Sequence, residues 1–201
     1  MSKTDNAMTK VKHFLSTYGF EIERFDKKAI SLGKTPDFKV FQHGSLIFYC
    51  EVKNPEKDAW LDRLIAQAKP GEIVGGLRKD PVFNRLTSHI HSARKQFDAV
   101  NQEETLPNVL AFYNEDETSG FLDLLAVTTG NAYVESGATL PIYKSFSEGM
   151  VKEDVIRIHL FIWLDNYKPH RLLFNLINNK HLSKLCSLFG YDQASLKTVH
   201  P

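Results

Sequence analysis

Three charged residues stand on two short extended segments between positions 35 and 54. Asp37 follows a proline, and fourteen residues later Glu51 and Lys53 flank a single valine. Successive side chains of a β-strand point to opposite faces, so Glu51 and Lys53 share one face, ~7 Å apart at the backbone. If a turn near Gly44 pairs this strand with the one that carries Asp37, the two carboxylates converge. Converging carboxylates are typical of a divalent-metal site.

The chemistry that these residue types favour is phosphodiester hydrolysis. Carboxylate and carbonyl oxygens are the ligands that Mg²⁺ prefers, and a bound Mg²⁺ holds a phosphate oxygen and lowers the pKa of a water. The ammonium of Lys53 adds a group that orients the attacking water or stabilises charge on the reacting phosphate. The alternative is a solvated pair of charges, but idle charges in an otherwise apolar strand are costly to bury.

The elements that must position these residues are predicted from hydrophobic periodicity. A first helix is expected from Thr4 or Asp5 to about Tyr18, with Gly19 as its stop. Apolar residues at helical spacing predict a further helix over about 82–100. Extended runs predict strands at Phe20 to Phe25, Asp37 to Phe41, Leu46 to Lys53 and 108 to 114, with a turn at 43 to 45. The segment 54 to 81 is expected to be a long surface excursion with one short helix near 60 to 67.

Beyond residue 114 the pattern changes. A short helix is expected at about 121–127, a hairpin with strands at 156–164 and 172–176, and a last helix at about 180–189 before Gly190. The order α-β-β-β-α-β followed by a strand-rich extension predicts an α/β fold, a mixed sheet flanked by helices. We expect one domain over 1–201, with a core at 5–114 and an extension at 115–201.

The pair Pro36-Asp37 and the triplet Glu51-Val52-Lys53 resemble the signature of the PD-(D/E)xK phosphodiesterase superfamily, the restriction-endonuclease-like nucleases. The α-β-β-β-α-β order is similar to the common core of that superfamily. The resemblance implies that Asp37 and Glu51 bind the metal together with the carbonyl of Val52, and that Lys53 is catalytic.

The resemblance also implies a role for the following helix, where Arg94, Lys95 and Gln96 would support the site and contact phosphate. One feature departs from the superfamily pattern. Many members take another acid from the first helix, which has none here between positions 6 and 18. Glu23, or else Glu21, is the candidate substitute.

Charge is unevenly distributed along a chain whose net charge is only +1. Five basic residues and one acid lie between positions 78 and 95, whereas the stretch 101–123 has six acids and no base. Such segregation permits a positive face for a polyanion, although two differently solvated surfaces would look the same. The candidate nucleic-acid contacts are Arg78, Lys79, Arg85, Arg94, Lys95 and Gln96.

Composition excludes several classes of protein. Hydrophobic residues make up 42% and charged residues 24%, as in ordinary globular proteins. The longest apolar run, at 160–164, is far below the ~18 residues of a membrane span, and the first residues do not form a signal peptide. The only cysteines, Cys50 and Cys186, provide no zinc finger or disulfide framework. We therefore expect a cytoplasmic protein with no membrane partner.

The preferred function is a Mg²⁺-dependent endonuclease or exonuclease, with Mn²⁺ as a substitute ion and DNA as the expected substrate. The alternative is a catalytically silent module of the same fold that binds nucleic acid or a protein partner. The sequence leaves open RNA as the substrate, the substrate's structure, and the pairing of two subunits as a homodimer.

Overall fold

A mixed sheet of six strands forms the centre of the computed structural model, which describes residues 3–25, 35–55, 60–74, 81–116, 119–133, 138–141, 148–166 and 169–196. The amino-terminal elements of the chain are α1 (Lys3–Ser16), β1 (Glu21–Arg24), β2 (Phe38–Gln42), β3 (Ser45–Lys53), α2 (Trp60–Gln67), α3 (Pro81–Asp98) and β4 (Asn108–Asn114). The later elements are α4 (Phe121–Thr129), β5 (Asn131–Tyr133), β6 (Thr139–Pro141), α5 (Glu148–Val155), β7 (Leu160–Asp165), β8 (Arg171–Phe174), α6 (Leu182–Phe189) and a 3₁₀ turn (Gln193–Ser195).

The strand order in the large sheet is β1-β2-β3-β4-β7-β8, and β5 pairs with β6 separately. Strands β1, β2 and β3 are antiparallel, β3, β4 and β7 run parallel, and β8 returns antiparallel to β7. The predicted α/β class, with a mixed sheet flanked by helices, is confirmed. Because β3, β4 and β7 are parallel, their carboxyl ends lie at one edge of the sheet.

The hairpin between β2 and β3 has the predicted turn. His43 and Gly44 both adopt positive φ, 51° and 72°, which suits the tight turn of a two-residue hairpin. The register pairs Phe38 with Cys50. Asp37, one residue before Phe38, therefore comes opposite Glu51 at the end of the hairpin.

Helices cover both faces of the sheet. On one face, α1 and α6 bury residues such as Leu15 and Leu185 against Phe48 and Val109. On the other face, α3, α4 and α5 pack over β4 and β7, with Leu86, Ile90, Phe97, Phe112 and Trp163 in the same buried cluster. No helix within the described ranges is both long and apolar enough to cross a membrane.

The predicted helices and strands of the first 114 residues agree with the structure to within a few residues at their ends. Of the surface excursion predicted at 54–81, residues 56–59 and 75–80 lie outside the described residues. Helix α6 ends at Phe189, directly before Gly190, which adopts positive φ as expected for a helix stop. The predicted strand at 156–164 was wrong over its first four residues. Helix α5, which the sequence did not predict, ends at Val155, and β7 begins only at Leu160. In the described part of the extension, helices α4, α5 and α6 therefore accompany the strands.

The physical reason for the late start of β7 is a turn that tertiary contacts hold in place. The amides of Arg157 and Ile158 donate to the carbonyls of Asp154 and Val155. The side chain of Arg157 then binds Asp98 at the end of α3. The alternation of Ile156, Arg157 and Ile158 resembles a strand, but these contacts bend the segment.

Candidate active site

Asp37 and Glu51 are held together by the end of the β2–β3 hairpin. The amide of Asp37 donates to Glu51 Oε2 at 3.0 Å. Reciprocally, the amide of Val52 donates to Asp37 Oδ2 at 2.9 Å. Each carboxylate is thus fixed by a backbone amide of the opposite strand, and the convergence predicted from the sequence is confirmed.

Lys53 lies beside Glu51, as strand alternation predicts, with 2.6 Å between its Nζ and Glu51 Oε1. From α3, Gln96 accepts a hydrogen bond from the same ammonium at 3.0 Å. The side-chain Nε2 of Gln96 donates in turn to the carbonyl of Thr35 at 3.2 Å. The contacts therefore form a closed circuit, which we call the site ring, that runs from Thr35 through Gln96, Lys53 and Glu51 to Asp37.

The site ring holds two acidic groups and one basic group. Glu51 is 2% exposed, and burial, reinforced by the negative charge of Asp37, raises its pKa to about 8 despite the neighbouring Lys53. Burial also raises the pKa of Asp37, although the Val52 amide and Lys53 act in the opposite direction. Burial, followed by the two carboxylates, raises the pKa of the Cys50 thiol on β3. Two acids thus face one ammonium in a desolvated site.

This donor set fits a divalent cation, because two adjacent carboxylates in excess of one cation are the hard oxygen ligands that Mg²⁺ and Mn²⁺ take. Asp37 and Glu51 would hold the ion, and the Val52 carbonyl lies next to them in the chain. Across the described part of the chain, no group of three His, Cys, Asp or Glu side chains is arranged to hold a metal.

The candidate additional acids lie farther from the ring. Glu21 and Glu23 are exposed on the edge strand β1. In the register of β1 with β2, Glu23 lies opposite Lys39. Strand β2 separates them from β3 and Glu51. No described contact joins either glutamate to the site ring.

The structure brings Gln96, and no other described candidate basic or phosphate-contact residue, into the site ring. Arg94 instead binds Asp154 of α5 at 3.0 Å and Asp98 at 3.3 Å. Lys95 is exposed on α3. Arg85 binds the buried Asp116, beyond the end of β4, at 3.2 Å. The remaining candidates, Arg78 and Lys79, lie outside the described residues.

Sequence reasoning missed two residues of the site. Ser92 lies 3.5 Å from Lys53 Nζ, and one helical turn separates it from Gln96, so the helix prediction contained the signal. Thr35 takes part through its carbonyl, for which side-chain type gives no signal.

A second polar cluster lies at the same edge of the sheet, after β3 and β4. Glu115 accepts hydrogen bonds at 3.1 Å from both Asn54 and Asn6. It therefore links the residue after Lys53 to α1. This tie fixes the end of β3, and with it the position of the catalytic candidate.

A comparison of the chain with protein-family models, with curated proteins and with solved structures gives no match in any of the three. What the site does must therefore be argued from its own geometry and chemistry.

Proposed function

We propose that this protein is a metal-dependent nuclease that hydrolyses phosphodiester bonds, with DNA as its substrate. The observation that carries the proposal is the pairing of Asp37 with the buried Glu51, with Lys53 Nζ 2.6 Å from Glu51 Oε1. Two acids and a lysine at the end of adjacent strands are also the residues on which the resemblance to the PD-(D/E)xK superfamily depends.

The charge of the site supports this proposal over a purely structural role. Two carboxylates brought together in a desolvated site raise the free energy of the ionised state, as the raised pKa of Glu51 indicates. Without a bound ion, the protein gains no folding stability from such an arrangement, because a buried ion pair is often no more stable than apolar side chains of similar volume. A divalent cation compensates the excess charge.

The residues of the chain divide the catalytic work. Asp37 and Glu51 would hold Mg²⁺, which when bound activates a water and stabilises charge on the phosphate. Lys53 directs its ammonium at the reacting phosphate or the attacking water, where a positioned cation stabilises the transition state. Gln96 fixes the ammonium from α3, and burial limits the access of competing water to the carboxylate of Glu51.

The proposed partners and compartment follow from the surroundings of the site. Lys95 is exposed on the helix that carries Gln96, where a polyanion that enters the site would meet it. We place the protein in the cytoplasm, since its two cysteines are both buried and free, as expected in a reducing compartment.

Incubation of the purified protein with plasmid DNA, linear duplex, single-stranded DNA and RNA tests the proposal. Cleavage of DNA should require Mg²⁺ or Mn²⁺, stop with a chelator and fail with Ca²⁺, which binds oxygen ligands at longer distances and in looser geometry. Cleavage of RNA alone would retain the chemistry and overturn the substrate. Inactivity on every substrate, together with retained nucleic-acid or protein binding, would favour the alternative of a silent binding module.

A further inference from the structure

One buried side-chain atom of the site ring has no hydrogen-bond partner among the residues that the structure describes. The hydroxyl Oγ1 of Thr35 is buried and unpaired, although the carbonyl of the same residue binds Gln96. Exposure alternates from Thr35 to Val40, with Pro36, Phe38 and Val40 buried. In an extended segment this alternation places the side chains of Thr35 and Asp37 on the same side.

An unpaired buried hydroxyl needs an explanation. Most buried polar side chains in native proteins have a partner, and leaving one without a partner destabilises the fold. Valine has nearly the same shape as threonine and would avoid this cost. The hydroxyl is therefore expected to have a partner in another state of the protein.

The contacts of the carboxylate oxygens in the site ring indicate that this other state is the ion-bound one. Without an ion, Glu51 uses Oε1 on Lys53 and Oε2 on the amide of Asp37. Asp37 uses Oδ2 on the amide of Val52. Carboxylates that turn oxygens toward a cation give up part of these contacts and need new donors to hold them in place.

Lys53 is not free to supply such a donor. An ammonium has three hydrogens, and Lys53 Nζ has three acceptors in Glu51 Oε1, Gln96 Oε1 and Ser92 Oγ, at 2.6, 3.0 and 3.5 Å. The buried hydroxyl of Thr35 is a donor of the site ring that has no partner among the described residues. It also lies on the same segment as Asp37.

We propose that Thr35 is a positioning residue whose hydroxyl donates a hydrogen bond to the Asp37–Glu51 carboxylate pair when these carboxylates hold a divalent cation. This inference rests on the proposed function only in requiring that the pair binds such an ion. It assigns to Thr35 a role that neither the motif nor the resemblance contains.

Substitution of Thr35→Val removes the hydroxyl and keeps the shape, and Thr35→Ser keeps the hydroxyl. In chelator, Thr35→Val should melt a few degrees above the wild type, because it removes an unpaired buried group. Its affinity for Mn²⁺, measured by isothermal titration calorimetry without nucleic acid, should fall about tenfold, the scale of losing a contact to a metal ligand. Thr35→Ser should match the wild type in Mn²⁺ affinity.

Thr128→Val is the matched control, because the hydroxyl of Thr128 on α4 already donates to the carbonyl of Leu124 at 2.9 Å. It should not raise the melting temperature and should leave Mn²⁺ affinity unchanged. Thr35→Val with wild-type Mn²⁺ affinity would overturn the inference, as would a lower melting temperature in chelator.

The two proposals fail in different ways. A wild type that binds Mn²⁺ but cleaves no nucleic acid contradicts the proposed function, while the affinities of the Thr35 variants still decide the inference. A wild type that binds no Mn²⁺ contradicts both.

Discussion

The two ends of the parallel strands bury polar side chains in opposite ways. At the amino ends lies a cluster of uncharged groups, which we call the amino-end cluster: Asn101, Asn108, His159 and Asn175, each no more than 6% exposed. At the carboxyl ends, the site ring holds two acids, the buried Glu51 and the partly buried Asp37, and the hydroxyl of Thr35 has no partner among the described residues.

The amino-end cluster is satisfied by the chain itself. The amide of Asn108 donates to His159 Nδ1 at 3.0 Å, and its side chain bridges to the carbonyl of Arg157. Asn101 donates to Asn108 Oδ1, and Asn175 donates to two backbone carbonyls. Neutral groups with fixed partners stabilise the junction of β4 and β7 without the cost of burying charge.

The contrast between the two clusters separates a structural role from a candidate site for chemistry. A cluster built only for stability uses neutral, fully paired groups. A ligand-binding site, by contrast, contains uncompensated charge and hydrogen-bond donors without a partner when the ligand is absent. Burial alone does not distinguish them, since Glu51 in the site ring is as deeply buried as the residues of the amino-end cluster. Substitutions at the two ends should therefore have different effects on cleavage rate and on folding stability. The largest expected difference is in cleavage rate.

Asp37→Ala or Glu51→Ala should abolish metal-dependent cleavage and leave the fold intact, because each removes an ion ligand and relieves the repulsion between carboxylates. The rate on plasmid DNA and the circular dichroism spectrum measure the two effects. His159→Gln is the matched change in the amino-end cluster and should cleave at the wild-type rate. Wild-type activity in Glu51→Ala would remove the distinction between the two ends.

Lys53→Ala should slow cleavage by about a hundredfold or more, the scale of losing one group that stabilises the transition state. It should retain binding of Mn²⁺, because the two carboxylates remain. Single-turnover rates and calorimetry separate these effects. Equal loss of ion binding and rate would show that Lys53 acts only by holding Glu51.

His159 should control stability in acid. Burial, followed by the nearby His181, Lys180 and Arg157, lowers the pKa of folded His159 to about 3 from its usual 6.5. The unfolded chain therefore binds a proton near pH 6.5 that the folded protein does not accept until about pH 3. The contribution of His159 is complete above pH 6.5 and is lost as pH falls, with a slope of up to ~1.4 kcal/mol per pH unit.

Urea unfolding between pH 7 and pH 4 measures that slope, and His159→Gln should flatten it. Glutamine retains an acceptor for the Asn108 amide, so the variant should remain folded at pH 8. An unchanged slope in the variant would mean that other groups dominate acid unfolding.

Glu51→Gln should stabilise the ion-free protein by about 1 kcal/mol at pH 8, because it leaves one carboxylate facing one ammonium. Asn108→Ala, at the other end of the strands, should destabilise it, because buried donors and acceptors lose their partners. Urea midpoints in chelator give both signs. A Glu51→Gln variant less stable than the wild type would place the site ring among the structural clusters.

Local periodicity in the sequence predicted much of the fold and the centre of the site. Period-two alternation placed Glu51 and Lys53 on one face, and the turn at Gly44 brought Asp37 back to them. These relations join residues close in the chain, so hairpin geometry suffices to derive them. For the same reason the elements before residue 115 were predicted better than α5, whose end is held by contacts of Arg157 with Asp98.

Tertiary structure alone decided which side chains complete the site. Helix α3 turns so that Leu86, Ile90 and Phe97 are buried, which points Gln96 at Lys53 and Arg94 at Asp154. A sequence of adjacent polar residues does not say which of them meets a strand more than forty positions away. That choice depends on how the helix packs against the sheet, because packing fixes its rotation, and only then does each hydrogen bond gain its partner.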